Sequence, residues 1–139
     1  MGRKVLVIEN EEAWRTTAII AGQGIIEAPK TLNGVISALQ TIKYQAIMTN
    51  LAFNCWDDER YKFRIMDGID LIQQLRQGTI GELNKETVAY GISKVLFPVH
   101  GIVKSDLGNV GLRLEASKPR SVEDFKKCLD YVLIDSSKT

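Results

Sequence analysis

The stretch KVLVIENEE, residues 4–12, decides the fold class. Its first five residues, Lys4 to Ile8, form a short apolar run rich in β-branched side chains, the composition of a strand buried on both faces of a parallel sheet. Its last four, Glu9, Asn10, Glu11 and Glu12, make a polar turn. A helix follows over Glu11 to Ala21, with Trp14, Ala18 and Ala21 at helical spacing. A turn that cradles a nucleotide phosphate at this point needs glycines, so that backbone N–H groups can approach the anion where the helix opens. This turn has none, and Gly22 and Gly24 precede the second strand instead. A dinucleotide-binding fold is therefore disfavoured.

The same alternation continues downstream. Gly24 to Ala28 reads as a brief second strand, and Gln45 to Thr49 as a third. Between them Leu32, Val35, Ile36, Leu39 and Ile42 share one helical face, with Thr31 placed to cap it. Gly68 to Gln77 is a third helix, Thr87 to Gly91 a fourth strand and Val110 to Ala116 a fifth. Ser121, with Asp124 three residues on, resembles a capping box and opens a last helix in which Val122, Phe125, Leu129, Val132 and Leu133 repeat. Lys94 to Lys104 is ambiguous, because Pro98 and Gly101 stand where a helix needs good formers. Strands alternating with helices at this spacing predict one parallel α/β sheet covered on both faces, a single domain over residues 1–139.

Composition narrows the function. A formal net charge of +1 excludes a strong field for nucleic acid or an anionic membrane. The apolar runs are too short to span a bilayer, and Met1 to Lys4 shows no secretory signal pattern. Two cysteines, Cys55 and Cys128, without a Cys-x-x-Cys pair exclude a disulfide framework and a zinc cluster and suit a reducing cytoplasm. With His100 the only histidine, a multi-histidine metal site within one chain is excluded as well.

In open parallel sheets, ligands sit beyond the carboxyl ends of the strands. Those ends carry Glu9, Asn10 and Glu11 after the first strand, Asn50 after the third, Gly91, Ile92 and Ser93 after the fourth, and Ser117, Lys118 and Pro119 after the fifth. With Met66-Asp67-Gly68 opening the third helix, this set resembles the receiver domain of two-component response regulators, the CheY-like superfamily. The acidic turn stands where that family has Asp-Asp, Asn50 where it has its phosphoacceptor aspartate, and Ser117-Lys118-Pro119 where it has Thr-Lys-Pro. The resemblance implies a flavodoxin-like (βα)5 fold, a doubly wound five-stranded parallel sheet in the order 2-1-3-4-5.

The departures from the family pattern decide the expected activity. Receiver chemistry, as the resemblance implies it, uses an acceptor carboxylate, two further carboxylates for Mg²⁺, and a hydroxyl and a lysine for the phosphoryl oxygens. Here Glu9 keeps one carboxylate, whereas Asn10 and Asn50 are neutral, and an amide does not form an acyl phosphate. Glu9, Asn10, Asn50, Ser93 and Lys118 are therefore expected to form a vestigial phosphorylation site of the pseudo-receiver type, with no cofactor, no metal and no catalysis. The hydroxyl position falls on Ile92 or, with a slip of one residue, on Ser93. Lys118 is expected to pair with Glu9 and to donate to the Asn50 side-chain oxygen.

Asn50 and Gly68 stand 18 positions apart, roughly ten more than the family pattern implies, and loops that long inside compact domains are usually functional or disordered. The extra segment, residues 54–64, carries Trp56, Tyr61 and Phe63 among charges. It reads as a lid or partner-binding loop, or as a surface insertion with one aromatic packed down. Phe97 lies in an apolar fourth crossover that either covers the sheet or joins the family's helix 4–strand 5–helix 5 docking and dimerisation face. The expected function is a cytoplasmic, non-phosphorylatable signalling module. Its partner would be a histidine kinase, another signalling protein or a second copy. Two rivals remain: an active receiver using another acid such as Asp57, and a small flavodoxin-like nucleotide- or flavin-binding enzyme.

Overall fold

The computed structural model describes residues 4–51, 56, 64–93, 112–117 and 121–138, with the backbone alone at 93 and 112–117. The elements are β1 (Val5–Ile8), α1 (Glu12–Ala21), β2 (Ile26–Glu27), α2 (Leu32–Thr41), β3 (Ala46–Asn50), α3 (Gly68–Arg76), β4 (Val88–Ser93), β5 (Leu112–Ser117) and α4 (Val122–Ser136). The five strands form one sheet in the order β2-β1-β3-β4-β5, every pair parallel.

Strand side chains alternate between faces, so each strand feeds two cores. Leu6, Ile8, Ile47 and Ala89 face α2 and α3, where Leu32, Val35, Leu39, Leu71, Ile72 and Leu75 close the layer. Val5, Val7, Met48, Tyr90 and Ile92 face α1 and α4 and meet Ala18, Phe125, Leu129 and Val132. Burial on both sides explains why the strands read as continuous apolar runs. Polar contacts add to α4's seat on the sheet: the Tyr90 hydroxyl donates to Asp135 Oδ2 at 2.5 Å, and Gln45 Nε2 donates to Ser136 Oγ at 2.9 Å.

The caps anticipated from sequence form. Thr31 accepts from Gly34 N–H, and Ser121 from Asp124 N–H. Strand limits differ from the sequence reading at β2 and β4. The N–H groups of Ile25 and Ile26 both donate to the Gly22 carbonyl in a turn that places Gly24 at φ +82°, which leaves only two residues for β2. β4 runs on to Ser93 because its pairing with β3 continues to Asn50–Ile92. The crossover at residues 94–104, including Phe97, lies outside the described residues, as does His100.

Candidate functional site

Parallel register brings the carboxyl ends of β1, β3 and β4 together. Ile8 pairs with Thr49, and Asn50 with Ile92. Glu9 follows β1 directly and is 4% exposed, and Asn50, the last residue of β3, is buried beside it. Asn50 Nδ2 donates to Glu9 Oε2 at 3.2 Å and to Asn10 Oδ1 at 3.1 Å. Glu9 Oε2 also accepts from the Glu11 N–H at 3.0 Å. One turn into α1, Arg15 reaches back, and its Nη1 donates to the carbonyls of Glu9 at 3.1 Å and Asn10 at 2.8 Å. Beneath lies a hollow of about 20 Å³ that Trp14, Met48, Ile92 and Phe125 border with Glu9 and Asn50. That volume is on the order of one water.

α3 closes the opposite flank. Its N-cap Asp67 accepts from Asp70 N–H at 2.8 Å, while Asp70 Oδ2 accepts from Met66 N–H at 2.9 Å, so Asp67 is a capping residue. Gly68 N–H donates to the Leu51 carbonyl at 3.1 Å. A Cβ at Gly68 would stand 2.1 Å from the Asn50 carbonyl oxygen, so only glycine fits. The glycine of the Met66-Asp67-Gly68 motif thus lets a helix start against the end of β3.

Three of the five residues expected in the vestigial site, Glu9, Asn10 and Asn50, are joined in one hydrogen-bonded set. At the hydroxyl position, it is the Ile92 side chain that borders the hollow. Ser93 ends β4 where the pairing with β5 shifts register, and its side chain lies outside the described residues. Lys118, and with it the expected pairing to Glu9 and Asn50, lies outside them too, as do Tyr61, Phe63 and Asp57.

Trp56 requires a correction. Expected to face a partner, it is 3% exposed, packed in the core layer of α2 and α3, with Nε1 donating to the Lys30 carbonyl at 2.9 Å. Its indole pins the insertion to the β2–α2 connection and offers no docking surface. Sequence reasoning also passed over Arg15. The usable signal was its position one turn into the helix that follows the acidic turn, since helical side chains lean toward the N-terminus.

Comparison with solved structures identifies the fold. Over 95% of its length the chain is similar to 99% of the chemotaxis response regulator CheY4 of Vibrio cholerae, at 17% identity and a TM-score of 0.69. It is similar over 99% of its length to 98% of a CheY-like receiver domain protein from Methanospirillum hungatei JF-1, at 11% identity and a TM-score of 0.71. Over the whole of both chains it is similar to the signal receiver domain of an HD domain-containing protein from Pseudomonas fluorescens Pf-5, at 12% identity and a TM-score of 0.71. No family model and no curated protein matches the sequence. The chain therefore has the fold of CheY-like response-regulator receiver domains, and at these identities the likeness speaks for the fold alone.

Proposed function

We propose that the chain is a receiver-type signalling module that works through protein–protein contact, without phosphorylation and without catalysis, in the cytoplasm. The observation that carries this reading is the role of Asn50. At the end of the central strand a receiver needs a nucleophilic carboxylate, and this chain presents an amide whose N–H groups are spent on Glu9 and Asn10. The site is thus a set of internal hydrogen bonds in place of an acceptor. The hollow that the described residues enclose beside it is far smaller than the roughly 300–1,000 Å³ of a nucleotide- or flavin-sized pocket. Among the described residues, no helix is long and apolar enough to cross a membrane.

A histidine kinase or other signalling protein, or a second copy, would dock where apolar side chains remain uncovered. Tyr131 and Ile134 on α4 are exposed, and Ile134 is 61% so. The insertion after β3, whose sequence carries Tyr61 and Phe63, is proposed as a second contact region.

Incubation with acetyl phosphate and Mg²⁺, followed by intact mass measurement, tests the reading. No adduct of about 80 Da, the mass of one phosphoryl group, is expected. A labile adduct at this edge would overturn the proposal, and mapping it to Asp57 would support an active receiver with a displaced acceptor. A pull-down comparing the wild type with a Tyr61→Ser, Phe63→Ser variant, which leaves the core residue Trp56 in place, tests the contact region, with loss of capture expected.

A further inference from the structure

Resting on the functional reading above, we infer that the turn between β1 and α1 is clamped by the protein's own donors. Arg15 holds the backbone of that turn, Asn50 and the Glu11 N–H hold its side-chain oxygens, and this edge thereby excludes the divalent cation of a receiver. Mg²⁺ requires oxygen ligands with available lone pairs in near-octahedral array. Four oxygens on two consecutive residues each accept an N–H donor, so a cation would compete with a donor at every one of them and with the charge of Arg15 nearby. Glu9 Oε2 accepts from Asn50 Nδ2 and Glu11 N–H, Asn10 Oδ1 from Asn50 Nδ2, and the carbonyls of Glu9 and Asn10 from Arg15 Nη1. The residues present do not fit the cation. To offer Asn50 Oδ1 as a ligand, the amide would have to flip. The flip breaks both of its bonds and sets its oxygen against those of Glu9 and Asn10.

Arg15 is an unusual choice on helix-terminal grounds alone. A cation in the first turn of a helix faces the positive end of the helix dipole and is disfavoured there. Two carbonyls, at 2.8 and 3.1 Å, account for its placement, because charge-assisted bonds outweigh a dipole effect of this size. The planar Nη1 group carries two N–H donors in fixed directions, one for each carbonyl, an arrangement that a rotating lysine ammonium lacks. Arg15 is thus a positioning residue: it fixes the backbone of Glu9 and Asn10, and through it the shape of the edge presented to a partner.

Two measurements on the full chain test the clamp. In an amide NMR titration with Mn²⁺ in molar excess, the wild type is expected to show no paramagnetic broadening centred on residues 9–11 and 50–51. The Arg15→Met, Asn50→Asp double variant should show it, and more strongly than Asn50→Asp alone. In hydrogen exchange, Arg15→Met should speed exchange at the Glu11 amide by about tenfold, the scale set by one charge-assisted hydrogen bond. The interior amides of β1 and β3 should stay protected, and Arg15→Lys should fall between. Site-centred broadening in the wild type, or unchanged Glu11 exchange in Arg15→Met, would overturn the clamp. The phosphoryl-adduct measurement is separate: an adduct without broadening sinks the functional reading alone, and broadening without an adduct sinks the clamp alone.

Discussion

The two edges of the sheet are both sealed by polar side chains, but in different ways. At the amino edge, Asn84 is fully buried and every hydrogen-bonding position of its amide is used. Oδ1 accepts from Tyr44 N–H at 3.0 Å and from Thr87 Oγ1 at 2.9 Å, and Nδ2 donates to the carbonyls of Leu39 at 2.8 Å and Ile42 at 2.7 Å. Lys43 Nζ donates to the Thr87 hydroxyl at 2.8 Å, and Arg76 bridges to the carbonyls of Lys85 and Thr87. At the carboxyl edge, the Asn50 amide donates to two side chains, Glu9 and Asn10, at 3.2 and 3.1 Å. Bonds from a buried amide to the backbone of a distant segment define the fold, since leaving any one unmade strands a desolvated partner. Bonds among the side chains at a strand end define the state of a site. An asparagine in the first setting holds the chain together. In the second it holds a chemical function off.

Substitutions at the two edges should separate these roles. Asn84→Ala is expected to have the largest effect, about 4 kcal/mol of unfolding free energy, because it strands two carbonyls, an N–H and a hydroxyl in the interior. Denaturant unfolding measures it, and a loss no greater than that of Asn50→Asp would erase the contrast between the edges. Trp56→Ala follows at about 3 kcal/mol, the lower end for removing a buried aromatic. A near-neutral result would mean that the insertion is not anchored through its indole. Asn50→Asp should lose about 2 kcal/mol in a chelator, because it exchanges two donated bonds for a carboxylate facing Glu9. Added Mg²⁺ should restore part of that melting temperature, and the wild type should show no such dependence.

The smallest effect belongs to Glu27. Its carboxyl is held below the ordinary value of 4.5 by hydrogen bonds from Lys4 and then from Tyr44, against an opposing effect of burial. The Tyr44 hydroxyl is pushed up by burial and by its bond to Glu27. With the folded value lowered, the contribution of Glu27 is present above pH 4.5 and fades as the pH falls through the folded value. Glu27→Gln should therefore lower stability at neutral pH by less than about 1 kcal/mol, as suits a part-exposed pair. It should also flatten the acid limb of the melting curve, and an unchanged limb would remove Lys4 and Tyr44 as the cause.

What could be read from sequence followed the periodicities. Strand–helix alternation, the caps at Thr31 and Ser121, and the grouping of Glu9, Asn10 and Asn50 at one edge all rest on local pattern, and the folded chain keeps them. What could not be read depends on contacts between distant segments. Asn84 carries no periodic signal in the sequence, and its place in the core comes from Leu39, Ile42 and Tyr44, some forty residues upstream. Trp56 stands among charges, and which aromatic of the insertion packs down is decided by a carbonyl 26 residues upstream that receives its N–H. The choice of Ile92 for the hollow is made by pairing with Asn50 across the sheet, which the composition of β4 alone does not specify.

The hydrogen bond from Gly68 N–H to the Leu51 carbonyl works as a clasp across the neck of the insertion. A segment whose ends are fastened this way can lengthen, shorten or change composition at a cost that grows only slowly with length. Drift or engineering can therefore rewrite the loop as long as Trp56 and Ile65 keep their places in the core. The sequence between those two anchors is the natural graft point, where a recognition sequence of foreign origin could be installed on a scaffold that keeps its own fold.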